Sequence, residues 1–248
     1  MKKGKIAKIT IGFEPESYEV LTAFLYTHGS AELLIEEIEN RNWNEEWEKS
    51  IEPVFISDKV IIYPSWKKDK VRKYRGRIKI QIDPKMAFGT GHNETTCLVL
   101  ELMTKHLGRK PGYLLDYGCG TGVLAIAGIK MGASKAVANE TDEDSIENAK
   151  ECFASNRVSG KVKLYHAPLE GVREKGFDVI CANIISSVII STLGLMKMKL
   201  KKNGKLFLSG ILIEEKFKIS SALRKHGFVI EEIQTRAEWL GIYARNTR

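Results

Sequence analysis

The sequence predicts an α/β fold: a doubly wound, mostly parallel sheet of seven strands, preceded by a small α+β domain. Three observations carry this. From Asn93 onward, apolar runs of strand length alternate with longer stretches whose apolar residues recur at helical spacing. The last two strand-like runs follow each other without a helix between them, so one of them runs antiparallel to the rest. A glycine-rich turn, Asp116-Tyr117-Gly118-Cys119-Gly120-Thr121-Gly122, joins the first strand of the alternating region to its helix.

In chain order, Lys5 to Phe13 alternates as a strand does. Pro15 to Tyr26 reads as a helix, with proline near its start and Val20, Leu21, Phe24 and Leu25 on one face. Leu33 to Ile38 reads as a second strand. These make a unit over 1–41, near the lower size limit for an independent domain. Trp43 and Trp47 stand four apart and share a helix face, so 42–56 reads as a linker helix. The main domain then runs over 57–248. Val60 to Tyr63, closed by Pro64, and Ile78 to Ile82 are short strands, and the basic stretch between them reads as an exposed loop.

Beyond Asn93, Leu98, Val99, Leu102 and Met103 fit one helix face. Strands follow at Tyr113–Tyr117, Ala136–Glu140, Val162–Tyr165, Phe177–Ala182, Lys205–Ser209, Phe228–Ile233 and Trp239–Ala244. Helices fall at Gly122–Met131, Asp142–Ser155, Ser186–Lys199 and Glu214–Lys225.

Hydrophobic residues make up 43% of the chain, enough for a core, and no apolar run approaches the ~20 residues of a membrane helix. Lys8 and Glu14 interrupt the apolar stretch that a signal peptide would need, so a cytoplasmic protein without a membrane association is expected. Cys97, Cys119, Cys152 and Cys181 are scattered and form no C-x-x-C pair, which points to reduced, buried thiols and no metal site. The formal charge is +8. Lys67, Lys68, Lys70, Arg72, Lys73, Arg75, Arg77 and Lys79 form one basic run, and Lys197, Lys199, Lys201, Lys202 and Lys205 a second. Such runs attract nucleic acid, or a protein that travels with it, or are simply a solvated lysine-rich surface.

In an open α/β sheet the ligand sits beyond the carboxyl ends of the strands, where the strand order reverses. Gly118, Gly120 and Gly122 suit that place, because glycine permits the tight turn and a close approach to backbone. A side chain at Gly118 is expected to fill the space the ligand needs. The G-x-G-x-G spacing is one residue short of a dinucleotide fingerprint, and no Lys-Ser/Thr follows as a phosphate loop requires. Glu140 closes the second strand of this region, 22 residues after Gly118. That is the spacing at which an acid holds ribose hydroxyls, and a carboxylate can accept two hydrogen bonds from a vicinal diol. The bland alternative is a helix cap, which Thr141 or Asp142 could supply equally well.

This turn and acid resemble the Rossmann-like S-adenosylmethionine-dependent methyltransferases, whose acidic glycine turn is matched by Asp116, Gly118, Gly120 and Gly122. The acid at the position of Glu140 is usually Asp in that class. Cys181-Ala182-Asn183-Ile184 ends another strand over the same crevice. An amine nucleophile must be neutral, whereas free lysine has a pKa of about 10.4. An asparagine carbonyl there can accept an N–H and aim the lone pair; as a plain alternative, Asn183 caps the next helix.

The block D-P-K-M-A-F-G-T-G-H-N-E-T-T (Asp83 to Thr96), with L-L-D-Y-G-C-G-T-G-V-L-A-I-A, C-A-N-I and L-S-G-I-L, is similar to the bacterial ribosomal protein L11 methyltransferases. The resemblance covers Asn42 to the C-terminus, and the N-terminal unit is shorter than that family's substrate-recognition domain. It implies methylation of lysine side-chain and N-terminal amines of L11, free or in the assembling large subunit, by a monomer using S-adenosyl-L-methionine. It also implies that Thr95 and Asn183 lie near the transferring methyl and the amine. Thr96, Gly118, Glu140 and Asn183 would line the cofactor site, with Phe88 as an aromatic wall. The basic run at 67–79 would face ribosomal RNA. The alternatives are a methyltransferase of an RNA base or small molecule, a nicotinamide-dependent oxidoreductase, and an inactive binding module.

Overall fold

The computed structural model describes residues 51–83 and 93–247. The chain divides into two compact units, 1–44 and 45–248. The first lies outside the described residues, as do the expected tryptophan helix face and Phe88.

The described part begins with a three-stranded sheet in the order β1 (Val54–Ile56), β2 (Val60–Tyr63), β3 (Ile78–Gln81). β1 runs antiparallel to β2, and β2 parallel to β3. The linker helix expected to reach residue 56 is therefore corrected at its end. Val54 and Ile56 are β-branched, follow Pro53 and pair with β2. The basic stretch is corrected too. Parallel neighbours need a crossover, and Ser65–Lys67 forms a 3-10 turn leading into α1 (Lys68–Arg72). Val71 anchors that crossover against Ile61 and Tyr63.

The main sheet follows α2 (Glu94–His106). Its elements are β4 (Tyr113–Tyr117), α3 (Val123–Lys130), β5 (Lys135–Glu140), α4 (Glu143–Ser155), β6 (Val162–His166), β7 (Phe177–Asn183), α5 (Ser186–Lys199), β8 (Leu200–Leu212), α6 (Lys216–Lys225), β9 (Phe228–Arg236) and β10 (Trp239–Asn246). The strand order is β6-β5-β4-β7-β8-β10-β9, and β10 runs antiparallel to both neighbours. The expected fold class, with one late antiparallel strand, is the observed one. The order reverses between β4 and β7, which puts the crevice above their carboxyl ends.

Helices cover both faces, so the central strands read as continuous apolar runs such as Val179 to Ala182. On one face α2, α3 and the three-stranded sheet pack together through Val99, Met103, Ile126, Ile62 and Ile80. On the other, α5 and α6 bury Ile189, Leu193, Met196 and Ile219 against Leu115, Ile180 and Leu208. β8 is longer than the expected Lys205–Ser209. Leu200 pairs with Phe177 and Lys205 with Val179, so a polar bulge separates two paired stretches and hides the strand pattern.

Three lysines of the second cluster are absorbed into the fold, while Lys201 and Lys202 stay exposed. Lys199 is buried and donates to the Val172 carbonyl. Lys205 Nζ donates to the carbonyls of His106 (2.6 Å) and Leu107 (3.1 Å), satisfying the end of α2. Lys197 donates to the His226 carbonyl, and Lys201 pairs with Asp178 at 2.8 Å. The four cysteines are buried and none is in a disulfide, and burial raises the thiol pKa of Cys97, Cys119 and Cys181.

Candidate active site

The glycine turn between β4 and α3 is built on backbone that other side chains reject. Gly118, Gly120 and Gly122 all have positive φ (66°, 50° and 73°). A Cβ on Gly118 would lie 2.5 Å from Ile184 Cγ2, and one on Gly122 would overlap the Phe153 ring of α4. The Ile184 contact adds a second reason for glycine at 118, beside the expected need of a ligand for that space. A side chain there meets first the residue that follows Asn183, so the glycine lets two strand exits approach each other.

Three groups tie this turn down. The Asn139 carbonyl accepts from the N–H of Gly118 and of Cys119, both at 3.0 Å. Glu140 Oε2 accepts from Gly120 N at 3.0 Å. Asp116 Oδ2 accepts from Ala125 N at 2.8 Å. Gly122 stands at the cap position of α3 with no side chain to offer, and Asp116 takes over the capping from the preceding strand. Asp116 is fully buried, and burial pushes its pKa up to about 8 despite the Ala125 bond, with the nearby Glu140 charge adding to the rise. Its Oδ2 is thus committed to the first turn of α3.

Glu140 is not a cap of α4. Asp142 fills that role, its Oδ2 accepting from Ser145 N at 2.9 Å. Glu140 Oε1 accepts instead from Thr141 N (2.7 Å) and Asp142 N (3.2 Å). The extra methylene of Glu over Asp lets one carboxylate hold its own strand end and the glycine turn together.

Across the β4–β7 junction, Asn183 closes β7. It does not cap α5, whose cap position is Ile185. Its Nδ2 donates to Thr96 Oγ1 at 3.2 Å. Thr95 and Thr96 occupy the first turn of α2 and are buried. Among the described residues, Asn183 Oδ1, Thr95 Oγ1 and Asp116 Oδ1 are buried polar atoms with no hydrogen-bond partner. Such orphans are rare and call for a ligand or a functional reason. The structure thus brings Asn183 and Thr96 into contact and gathers Asp116, Glu140 and the three glycines into the neighbouring turn.

Asn139 is a residue that sequence reasoning passed over. Its carbonyl anchors the turn, and its side chain is buried, with Nδ2 donating to the Ala167 carbonyl and Oδ1 unpartnered among the described residues. The available signal was an amide inside the otherwise apolar run of β5.

A sheet of this order, with positive-φ glycines at the exit of β4 beside its switch point and the unpartnered Oδ1 of Asn183 at the exit of β7, places the molecule in the class of Rossmann-like S-adenosylmethionine-dependent methyltransferases. A family model described as ribosomal protein L11 methyltransferase (PrmA) matches residues 12–247, further toward the N-terminus than the resemblance alone reached. Curated ribosomal protein L11 methyltransferases are similar throughout. That of Lachnoclostridium phytofermentans is 34% identical over 239 residues, covering 88% of this chain and 71% of that protein. That of Alkaliphilus oremlandii is 32% identical over 229 residues, covering 92% and 72%. The crystal structure of a ribosomal protein L11 methylase from Lactobacillus delbrueckii subsp. bulgaricus aligns with a TM-score of 0.74 at 26% identity, over 80% of this chain and 100% of that one. The chain belongs to the ribosomal protein L11 methyltransferase (PrmA) family.

Proposed function

We propose that the chain transfers methyl groups from S-adenosyl-L-methionine to lysine side-chain and N-terminal amines of ribosomal protein L11. The observation that supports this most is the Asn183 amide, whose Nδ2 is committed to Thr96 while its Oδ1 is buried with no protein partner. An acceptor held this way suits an N–H of an incoming amine. The residues present also fit the cofactor: a turn of bare backbone, an acid at the end of the next strand and unpartnered oxygens on Asn183 and Thr95. Bound there, S-adenosylmethionine supplies an electrophilic methyl group.

The chain's own residues have four tasks. Gly118, Gly120 and Gly122 accept the methionine part against backbone. Glu140 offers its remaining lone pairs to the ribose hydroxyls while its backbone bonds keep the carboxylate in place. Thr96 takes part in the cofactor wall and holds the Asn183 amide. Asn183 and Thr95 receive the amine and strip it of water; the loss of water favours the neutral form against the ordinary lysine pKa of about 10.4, and the Asn183 oxygen accepts an N–H and aims the lone pair.

Finer readings belong to the same proposal. The enzyme works in the cytoplasm as a monomer and contacts ribosomal RNA through 67–79. In support of the RNA contact, Arg77 lies over both the Phe55 and Tyr74 rings (5.6 and 5.3 Å), and Phe55 is exposed. Among the described residues no helix is long and apolar enough to cross a membrane.

The test is mass spectrometry of purified L11 after incubation with the enzyme and S-adenosylmethionine. Mass gains in methylene steps, mapped to lysine or the N-terminal amine, are expected. No gain from an enzyme that binds the cofactor would discard L11 as substrate and turn attention to RNA bases.

A further inference from the structure

The carboxyl edge of the main sheet carries apolar side chains that the fold leaves in water. Ile185, two residues past Asn183, is 64% exposed, and Phe217, at the start of α6, is 85% exposed. Leu212 and Ile213, at the end of β8, are exposed as well. Hydrogen bonds tie together the turns that carry Ile185, Leu212 and Ile213, and Phe217 follows two residues after Glu215. Ser186 Oγ donates to Glu215 Oε1, joining the Ile185 turn to the turn after β8. Glu215 Oε2 accepts from Leu212 N at 3.2 Å, and Ile213 N donates to the Glu238 carbonyl at 2.9 Å. Gly210 packs so closely on the Ile184 backbone that a Cβ would not fit, so the exits of β7 and β8 run in contact.

Exposed apolar clusters mark interaction sites, and the position of this one selects its occupant. A lysine amine hangs on a four-carbon stem, and an N-terminal amine sits on the main chain itself. A protein that delivers either group to Asn183 must lay its backbone along the edge where Ile185 stands. A small-molecule amine would need no such rim. Glu214, Glu238, Lys216 and Lys218 are exposed around it, giving the polar border of a protein contact.

We infer that Ile185, Leu212, Ile213 and Phe217 form the docking surface for the segment of the substrate protein that carries the target amine, an extended segment with apolar side chains beside that amine. This rests on the methyltransferase reading above and adds the surface that reads the sequence around the amine.

The experiment measures methyl transfer across a series of L11 concentrations for wild type, Phe217→Ser and Ile185→Ser. Equilibrium binding of S-adenosylhomocysteine and sedimentation are measured in parallel. The expected result is a KM for L11 raised about tenfold in each variant, the loss of one apolar contact, with kcat and S-adenosylhomocysteine affinity unchanged. Phe217 is so exposed that its replacement should leave the melting temperature unmoved. Transfer by wild type with an unaltered KM in both variants would overturn the docking surface and leave the activity standing. A wild-type dimer that Phe217→Ser dissociates, again with unaltered KM, would assign the rim to a second copy and overturn it too. If wild type transfers no methyl to L11, the functional reading falls, and the docking surface falls with it.

Discussion

Two turns at the carboxyl edge of the sheet sit side by side and are built on opposite principles. The β4–α3 turn has three positive-φ glycines, and its backbone is fastened by Asn139, Glu140 and Asp116. The β7–α5 exit has no glycine and no side-chain cap; Asn183 holds one hydrogen bond, and Ile185 projects into solvent. One turn is over-determined, as a site that receives the same cofactor every cycle requires. The other keeps an unpartnered acceptor and an open apolar edge, as a site that admits a large and exchanging substrate requires. In the function proposed above, the fastened turn takes the cofactor and the open exit takes the substrate amine.

The largest effect should come from the open side. Asn183→Ala is expected to lower turnover about a hundredfold by releasing the amine from its aim, while cofactor affinity falls much less. Isothermal titration with S-adenosylhomocysteine beside single-turnover assays separates the two, and equal losses would end the aiming role. On the fastened side, Gly118→Val should reach across the boundary. Its side chain strikes Ile184, so turnover and cofactor binding should fall together. A loss of binding alone would mean that the two turns are independent.

Thr96→Val sharpens the contrast further. It removes the acceptor of Asn183 Nδ2 and frees the amide to flip. About a tenfold loss in kcat is expected, of the size of one buried hydrogen bond, with restoration by Thr96→Ser. Absence of rescue would show that the threonine acts through packing.

Asp116 should touch turnover least, and its effect is read in stability instead. Asp116 has a folded-state pKa near 8, above its ordinary 3.8, so the unfolded chain loses that proton first. Stability is therefore greatest below pH 3.8 for this group and is lost as pH rises toward 8, with a limiting slope of ~1.4 kcal/mol per pH unit. Asp116→Asn should keep the Ala125 bond and flatten that slope. Melting curves from pH 4 to 8 for the two proteins test it, and parallel curves would show that the carboxyl is ionised in the fold.

Much of the fold was legible because its signals are local. The β4 strand and α5 helix stand at the expected residues, and the late antiparallel strand followed from a missing helix. What misled was also local. The lysines at 197–205 looked like a patch because charge in a sequence does not disclose which carbonyls will lie nearby. The basic stretch at 67–79 looked like a loop because its helix is one short crossover, too brief to show periodicity.

By itself, the sequence determined the alternation of strands and helices, the glycine turn, and the chemistry available in Asp116, Glu140, Thr95, Thr96 and Asn183. These depend on residue type and on spacing of a few positions, which the chain carries with it. Only the tertiary structure decided that Thr96 meets Asn183 across 87 residues, that Gly118 makes room for Ile184, and that the turn of Ile185 is tied to the turn after β8. Those relations depend on which strands become neighbours. That choice is made by burying two apolar faces at once, and no short stretch of the chain encodes it.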